Sequence, residues 1–423
     1  MKVRNEIPEA RWSKGSNIIE TFAVELEEFS QTGTVPAHAG QDIGWSLAQQ
    51  KKRLDALDLD LDYEFIPRGH FGQRQGATKE WSDGHYISRM GYRSCRFCRT
   101  ISRNGRKLMK QERNVLLYQT ITDVHNWLAA KADTHTCPSC GAIGTLESLV
   151  DGCDYCGTHF KMTDLFPKLT GYFYLDHYGR TSDELKRDIG KCVIPPILVC
   201  AAFFTYGYMQ KSPFILALIP GVLAGGLMGG IIGYLLWAFR TLRKLFKDAG
   251  RATKVLIKVG SSEKRFVSAM QRYSPEFSYA YFSDAVVNLL KTVLYSDDPE
   301  SLPIYEGGRL PQELSKIVDS VQFGNVALKR FQVQNGICYI TADVHMENLY
   351  LRGSSIRKKD DVFRLQLKRD VSKPVDLHFS VHHLRCKNCA ASFDALRHKN
   401  CPSCGSRYGT EDLEWIITDL RKK

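Results

Sequence analysis

Two uncharged stretches lie almost back to back in the middle of the chain, and no other feature restricts its folding so strongly. "CVIPPILVCAAFFTYGYMQ" runs from Cys192 to Gln210 and "SPFILALIPGVLAGGLMGGIIGYLLWAF" from Ser212 to Phe239, with Lys211 alone between them. A helix needs about 20 apolar residues to cross a bilayer, and each stretch reaches that length, the second with tilt. The pattern predicts a two-helix transmembrane hairpin over 191–240 rather than the buried hairpin of a soluble core. Glycines at 221, 225, 226, 229, 230 and 233 give the second span small-x-x-x-small spacing. Helix backbones approach closely along such a stripe, so the spans are expected to pack on each other or on a second copy.

The flanks set the orientation. Lys186, Arg187 and Lys191 precede the first span, Arg240, Arg243, Lys244 and Lys247 follow the second, and the turn holds one Lys. Basic residues collect on the cytoplasmic side, so an integral membrane protein with two spans and both termini cytoplasmic is expected. The opening "MKVRNEIPEARW" has no apolar signal core, which leaves the hairpin itself to direct insertion.

Cysteine usage is the second constraint. Of thirteen cysteines, ten fall in five C-x-x-C pairs: Cys95/Cys98, Cys137/Cys140, Cys153/Cys156, Cys386/Cys389 and Cys401/Cys404. Two thiolates at that spacing point inward from one tight turn toward a tetrahedral ion, and a reducing compartment favours zinc thiolates over disulfides. Cys137, Cys140, Cys153 and Cys156, joined by a twelve-residue arm, read as one zinc ribbon. Its Gly141 and Gly157 sit where the knuckle backbone turns back toward the sulfurs. Cys386, Cys389, Cys401 and Cys404 read as a second ribbon, making two Zn2+ sites. His382, His383 and His398 are nearby, but four thiolates already complete the shell.

Cys95 and Cys98 have no second pair. They leave open a third metal site, completed by His85, His125, His135 or another subunit, and a redox dithiol whose pKa Arg93, Arg96 and Arg99 would lower. Cys192, Cys200 and Cys338 read as small buried hydrophobes.

The formal charge of +12 leans toward acidic partners, either nucleic acid or an anionic membrane surface. The stretch "RTLRKLFKDAGRATKVLIKVG" after the second span is a candidate for the latter. Leu242, Leu245, Phe246, Ala249 and Leu256 share a helical face, while Arg240, Arg243, Lys244, Lys247, Arg251, Lys254 and Lys258 form a candidate lipid-binding set. Each well-placed cation contributes about 1 kcal/mol against anionic headgroups; a solvated stop-transfer helix is the plain alternative. Earlier in the chain, "LDLDLDYEF" alternates apolar and acidic residues, and it lacks the glycine and terminal glutamate of a calcium loop. It reads as an amphipathic strand.

The last third changes period. "SPEFSYAYFSDAVVNLLKTVLYSDDPE" has helical spacing and a second short helix is expected at "LPQELSKIVDSV". "VALKRFQVQNGICYITADVHMENLYL", "DVFRLQLKRDV", "LHFSVHHLRC" and "LEWIITDL" then follow a period of two. Helices followed by a strand meander imply an α+β domain with helices on one face of an antiparallel sheet.

This order, over Tyr273 to Leu420, resembles the C-terminal domain of the forty-four-kilodalton subunit of the mitochondrial inner-membrane translocase. The likeness rests on "SPEFSYAYFSDAVVNLLKTVLYSDDPE" and "VFRLQLKRDV", and extends to bacterial relatives with a four-cysteine ribbon before the last strand. The resemblance implies an α+β cone of the nuclear-transport-factor-two type, a bacterial cytoplasmic membrane, and an adaptor that offers its cone to a protein or lipid partner. The chain departs from the mitochondrial form in having its own membrane hairpin and two ribbons.

The organisation read from the sequence is therefore multidomain. An N-terminal cytoplasmic region (1–130), a zinc ribbon (131–165) and a linker (166–190) precede the hairpin (191–240). A basic juxtamembrane helix (241–272) and the α+β domain (273–423) with its ribbon insertion (385–405) follow. Anionic lipids, a cytoplasmic protein and a second copy through the glycine-rich span are the expected partners. Asp343, His345 and Glu347 share a strand face at a spacing suited to proton transfer, but that face is expected outward and solvated, so no enzyme is expected. Metal-dependent or thiol–disulfide chemistry at Cys95/Cys98 is the alternative. Nucleic-acid binding ranks last, because the ribbon arms lack aromatic platforms and dense basic clusters.

Overall fold

A computed structural model describes residues 9–67, 76–83, 86–124, 134–136, 140–145, 153–156, 168–176, 182–210, 213–256, 260–273, 277, 279–322, 326–372, 383–386, 388–389, 391–394, 398–407 and 415–423. They belong to two compact units, one from Met1–His177 with Val259–Lys423 and the other from Tyr178–Lys258.

The larger unit contains one strand path twice. In the first module, helices α1 (Glu9–Thr32) and α2 (Gln41–Ala56) precede strands β1 (Asp60–Pro67), β2 (Gly76–Asp83), β3 (Tyr86–Arg103) and β4 (Arg106–Val124). The hairpin β5 (Thr134–Thr136) and β6 (Ile143–Thr145) follows, and then β7 (Lys168–Asp176). The antiparallel sheet runs β1-β3-β4-β7, with β2 also on β3.

After the apolar helices α3 (Ser182–Met209) and α4 (Phe214–Leu256), helices α5 (Gly260–Met270) and α6 (Tyr279–Tyr295) open the second module. Strands β8 (Ile317–Gln322), β9 (Ala327–Gln334), β10 (Ile337–Arg352) and β11 (Ser355–Asp370) come next. The hairpin β12 (His383–Arg385) and β13 (Ser392–Asp394) precedes the last strand, β14 (Ile416–Lys422). Its sheet runs β8-β10-β11-β14, with β9 also on β10. Strand for strand the second sheet repeats the first, and both cysteine hairpins are inserted just before the last strand.

Local chemistry supports these elements. In β1 Leu61, Tyr63 and Phe65 are buried while Asp60, Asp62 and Glu64 are exposed, as alternation predicts. Asn104-Gly105 closes β3–β4 and Asn335-Gly336 closes β9–β10. All four residues have positive φ, the pairing that tight hairpins between twisted strands require. "LPQELSKIVDSV" corrects the expectation of a helix: one turn at Leu314–Lys316 leads into β8. Its β-branched Ile317, Val318 and Val321 are buried against neighbouring elements, a setting that favours a strand.

The second core lies between Phe266 of α5, Phe282, Val286, Leu290 and Val293 of α6, and Ile340, Ala342, Val344, Met346, Phe363 and Leu365 of the sheet. The first core gathers Phe22, Leu26 and Phe29 of α1, Ile43, Leu47 and Leu54 of α2, and Leu61, Phe97, Ile101, Val115 and Leu117 of the sheet. It also takes in Val318, Val321 and Leu349 of the second module. The first module therefore borrows part of its core.

The smaller unit consists of α3 and α4. Lys186–Met209 and Leu218–Arg243 have mean hydropathy 1.7 and 1.8, long and apolar enough to cross a membrane. The expected glycine packing has a definite face. An added Cβ on Gly225, Gly229 or Gly233 would fall 2.3, 2.5 or 2.6 Å from the Cα of Ala201, Ile197 or Val193. Only glycine permits that approach. Gly226 and Gly230 would meet nothing within 4 Å. Beyond the apolar span, α4 continues unbroken to Leu256, so the basic stretch extends the same helix.

Candidate metal centres and the junction between modules

The second cysteine cluster is complete. The sulfurs of Cys386, Cys389, Cys401 and Cys404 all lie within 4.8 Å of one another, with Cys386–Cys404 and Cys389–Cys401 at 3.6 Å. Four thiolates about 2.3 Å from a tetrahedral ion stand about 3.8 Å apart, whereas a disulfide holds its sulfurs at about 2.05 Å. The spacing fits an ion.

The knuckle backbone is built for it. Gly405 has φ +72° and its N–H bonds the Cys401 carbonyl at 2.8 Å, while the Cys386 and Cys401 amides bond Ala391 and Ser406 at 2.9 Å. The Ser406 hydroxyl lies 3.3 Å from Cys386 Sγ and 2.8 Å from Cys404 Sγ. That hydroxyl pulls both thiols down, with Cys404 at about 6. At Cys389 the Ala391 amide favours the thiolate, but crowding by Cys404 and the other sulfurs outweighs it and holds the thiol at about 12. A dication relieves that crowding.

In the first cluster Cys140, Cys153 and Cys156 bring three sulfurs within 4.8 Å of one another, with Cys140–Cys153 at 3.5 Å. Gly141 has φ +79°, as its knuckle position requires. Cys137 and Gly157 lie outside the described residues. Both clusters suit a metal ion held by thiolates.

Cys95 and Cys98 are not brought together. Both lie on β3, paired in continuous register with β1 and β4. Residues three apart on a strand point to opposite faces, so the two sulfurs do not share an ion. Cys95 belongs to the first core. Cys98 is buried and paired across the ladder with Glu64 and Glu112. Burial and those carboxylates push its thiol up, so the expected lowering by flanking arginines does not hold there.

Of the lipid-binding candidates, Arg240 and Arg243 are exposed. Lys244, Lys247, Arg251 and Lys254 lie on the α4 backbone, and Lys258 lies outside the described residues.

Sequence reasoning missed the junction between the modules. Arg99, fully buried on β3, donates from Nη1 to Asp319 Oδ2 at 2.5 Å, from Nη2 to Glu347 Oε1, and from Nε to Gln111 at 2.8 Å. Asp319 Oδ1 also accepts from Tyr63 at 2.8 Å and Gln50 at 3.0 Å. Glu347 Oε2 accepts from Arg113 at 3.0 Å and Lys358 at 2.8 Å. Arg53 of α2 donates to the Leu294 and Ser296 carbonyls at the end of α6, at 2.5 and 2.8 Å.

The Asp343 face is thus corrected too. Glu347 is 1% and Asp343 4% exposed. Asp343 pairs with Arg364 at 2.8 Å and Lys423 at 2.7 Å, so the face is covered by ion pairs instead of water. Alternation reveals a polar face without revealing what lies over it. A visible signal was the interrupted apolar pattern of α6, where Asp284, Asn288 and Lys291 form a second stripe.

No family model, curated protein or solved structure matches the chain.

Proposed function

We propose that the chain is a membrane-tethered adaptor that displays two α+β modules, each with a zinc ribbon, to a protein or lipid partner on the cytoplasmic side. The observation that carries this reading is that the segments before and after the apolar hairpin build one unit, sharing a core and the Arg99–Asp319–Glu347 network. A hairpin inserted between such segments must return to the side it left. The basic flanks favour the cytoplasm as that side. All-thiolate donor sets favour zinc, and its role here is to close the long loop before each last strand.

The resemblance to the translocase subunit supports a cone of the nuclear-transport-factor-two type in the second module. The repeated strand path extends that reading to the first. Arg240 and Arg243, with the cations that follow on α4, serve anionic lipid of a bacterial cytoplasmic membrane.

The test uses the full chain in sealed vesicles and in mild detergent. Tags at residues 1 and 423 should be reached by protease from one and the same face; labelling from opposite faces overturns the tether. Detergent capture should recover phosphatidylglycerol above phosphatidylcholine or a stoichiometric protein. Replacing Arg240, Arg243, Lys244 and Lys247 with Gln should abolish the lipid enrichment alone.

A further inference from the structure

Helix α6 is buried along almost its whole length, Phe282 through Tyr295. Its apolar stripe serves the second core, while its polar stripe meets strand β7 of the first module. Asn288 donates to the Thr170 carbonyl at 3.3 Å, and the Lys291 ammonium sits 4.6 Å from the centre of the Tyr172 ring. One turn before Asn288, the Asp284 carboxyl lies directly over Gly171. A Cβ added to that glycine would fall 2.0 Å from Asp284 Cγ.

Asp284 has little to support a charge. Thr170 and Thr120 hydrogen-bond it, and a run of hydroxyls continues from Thr170 to Thr122 at 3.1 Å and on to Ser88 at 3.2 Å. Its Oδ2 is buried with no hydrogen-bond partner. The charged and titratable groups on the packed elements are few. β7 contributes Lys168, on the same side of the strand as Thr170, and Tyr172, which burial holds protonated. α6 itself contributes Lys291, two turns on, and α2 contributes Arg53, bound at the far end of α6. Asp319 acts on Lys291 and Tyr172. No cation is paired with Asp284 among the described residues. An ionised carboxylate without a partner is costly in such a place, and a neutral acid is tolerated.

We propose that the contact of α6 with β7 is a proton-operated latch between the two modules: a proton on Asp284 keeps them docked, and its loss loosens them. Burial holds this carboxyl at about 7 instead of the usual 3.8. The raised value means that the docked form carries a proton the open form releases. Docking is therefore strongest in acid, weakens about tenfold per pH unit as pH rises toward 7, and levels off above it. Lys291 acts in a separate window. Burial lowers it from 10.5 to about 8, so its effect runs from about 8 upward, where docking strengthens as the amine loses its charge.

The experiment is hydrogen exchange on the full chain in detergent from pH 5 to 8.5, corrected for intrinsic rates and read at α6 and β7. Protection should fall about tenfold per unit toward pH 7 and then level. Asp284→Asn, which keeps the shape without the titration, should be flat and at pH 8 at least as protected as the parent is at pH 5. Lys291→Met should keep the fall below pH 7. Flat protection in the parent, or an unchanged slope in Asp284→Asn, overturns the latch. Should Asp284→Asn fail to fold, the parent profile decides together with Lys291→Met, and a slope lost in that variant assigns the titration to the lysine and overturns the proposal.

Discussion

Asp62 and Asp319 occupy the same place in the two modules, and their surroundings differ completely. Each lies on the first strand opposite the residue four positions before the long hairpin's turn: Asp62 faces Thr100 and Asp319 faces Leu349. Asp62 is exposed and accepts a hydrogen bond from Gln31 at 3.4 Å. Asp319 is 1% exposed and is shared by Arg99, Tyr63 and Gln50. Repetition of a strand path therefore has not produced a symmetric pair. The second module's first strand is buried on both faces, while that of the first module buries one face and keeps its acidic face at the solvent.

This contrast can be tested. Asp319→Asn leaves Arg99 buried with half its charge unmet and should cost about 3–5 kcal/mol, read as a lower unfolding midpoint of the full chain in detergent. Asp62→Asn should stay within about 0.5 kcal/mol. Equal losses would mean that the two strands share the load.

The ribbons allow a second comparison. Elemental analysis should find two zinc ions per chain, falling to one in Cys404→Ser and to one in Cys153→Ser. Chelation should expose both loops to protease, because metal and hairpin form together.

Acid offers a milder probe. Burial raises the Glu347 carboxyl, but the charges of Arg113 and Arg99 outweigh it and hold the group below its ordinary value of 4.5. A lowered folded value gives stability that is present above 4.5 and lost as pH falls through the folded pKa. A tenfold difference in proton affinity between the folded and unfolded chain corresponds to about 1.4 kcal/mol. Glu347→Gln should remove that low-pH loss from the unfolding profile.

The hairpin supplies the smallest contrast, between adjacent residues. Gly229→Val would press into the backbone of Ile197 and cost about 1–3 kcal/mol, while Gly230→Val has open space and should be neutral in the same unfolding assay.

What the sequence revealed and what it hid follow one physical rule. The two long apolar helices, the four-cysteine cluster of Cys386, Cys389, Cys401 and Cys404 and the alternation of β1 carry their meaning within a few residues, and each stands in the structure where the pattern put it. The junction does not. Arg99 reads as one of three arginines flanking a C-x-x-C pair, yet its partner Asp319 is 220 positions away. Glu347 reads as part of a wet strand face until Arg113, 234 positions earlier, covers it. Likewise the long strand β3 shows no clean alternation, because Cys95 and Cys98 are buried on opposite faces.

The borrowed core also sets an order of events during synthesis. Phe97 and Leu117 leave the ribosome long before Val318, Val321 and Leu349, which complete their cluster, and the whole apolar hairpin emerges in between. Until then Arg99 has no acidic partner from the second module, and part of the first module's apolar surface stays open. The whole apolar hairpin has thus been synthesised before the first module can finish folding.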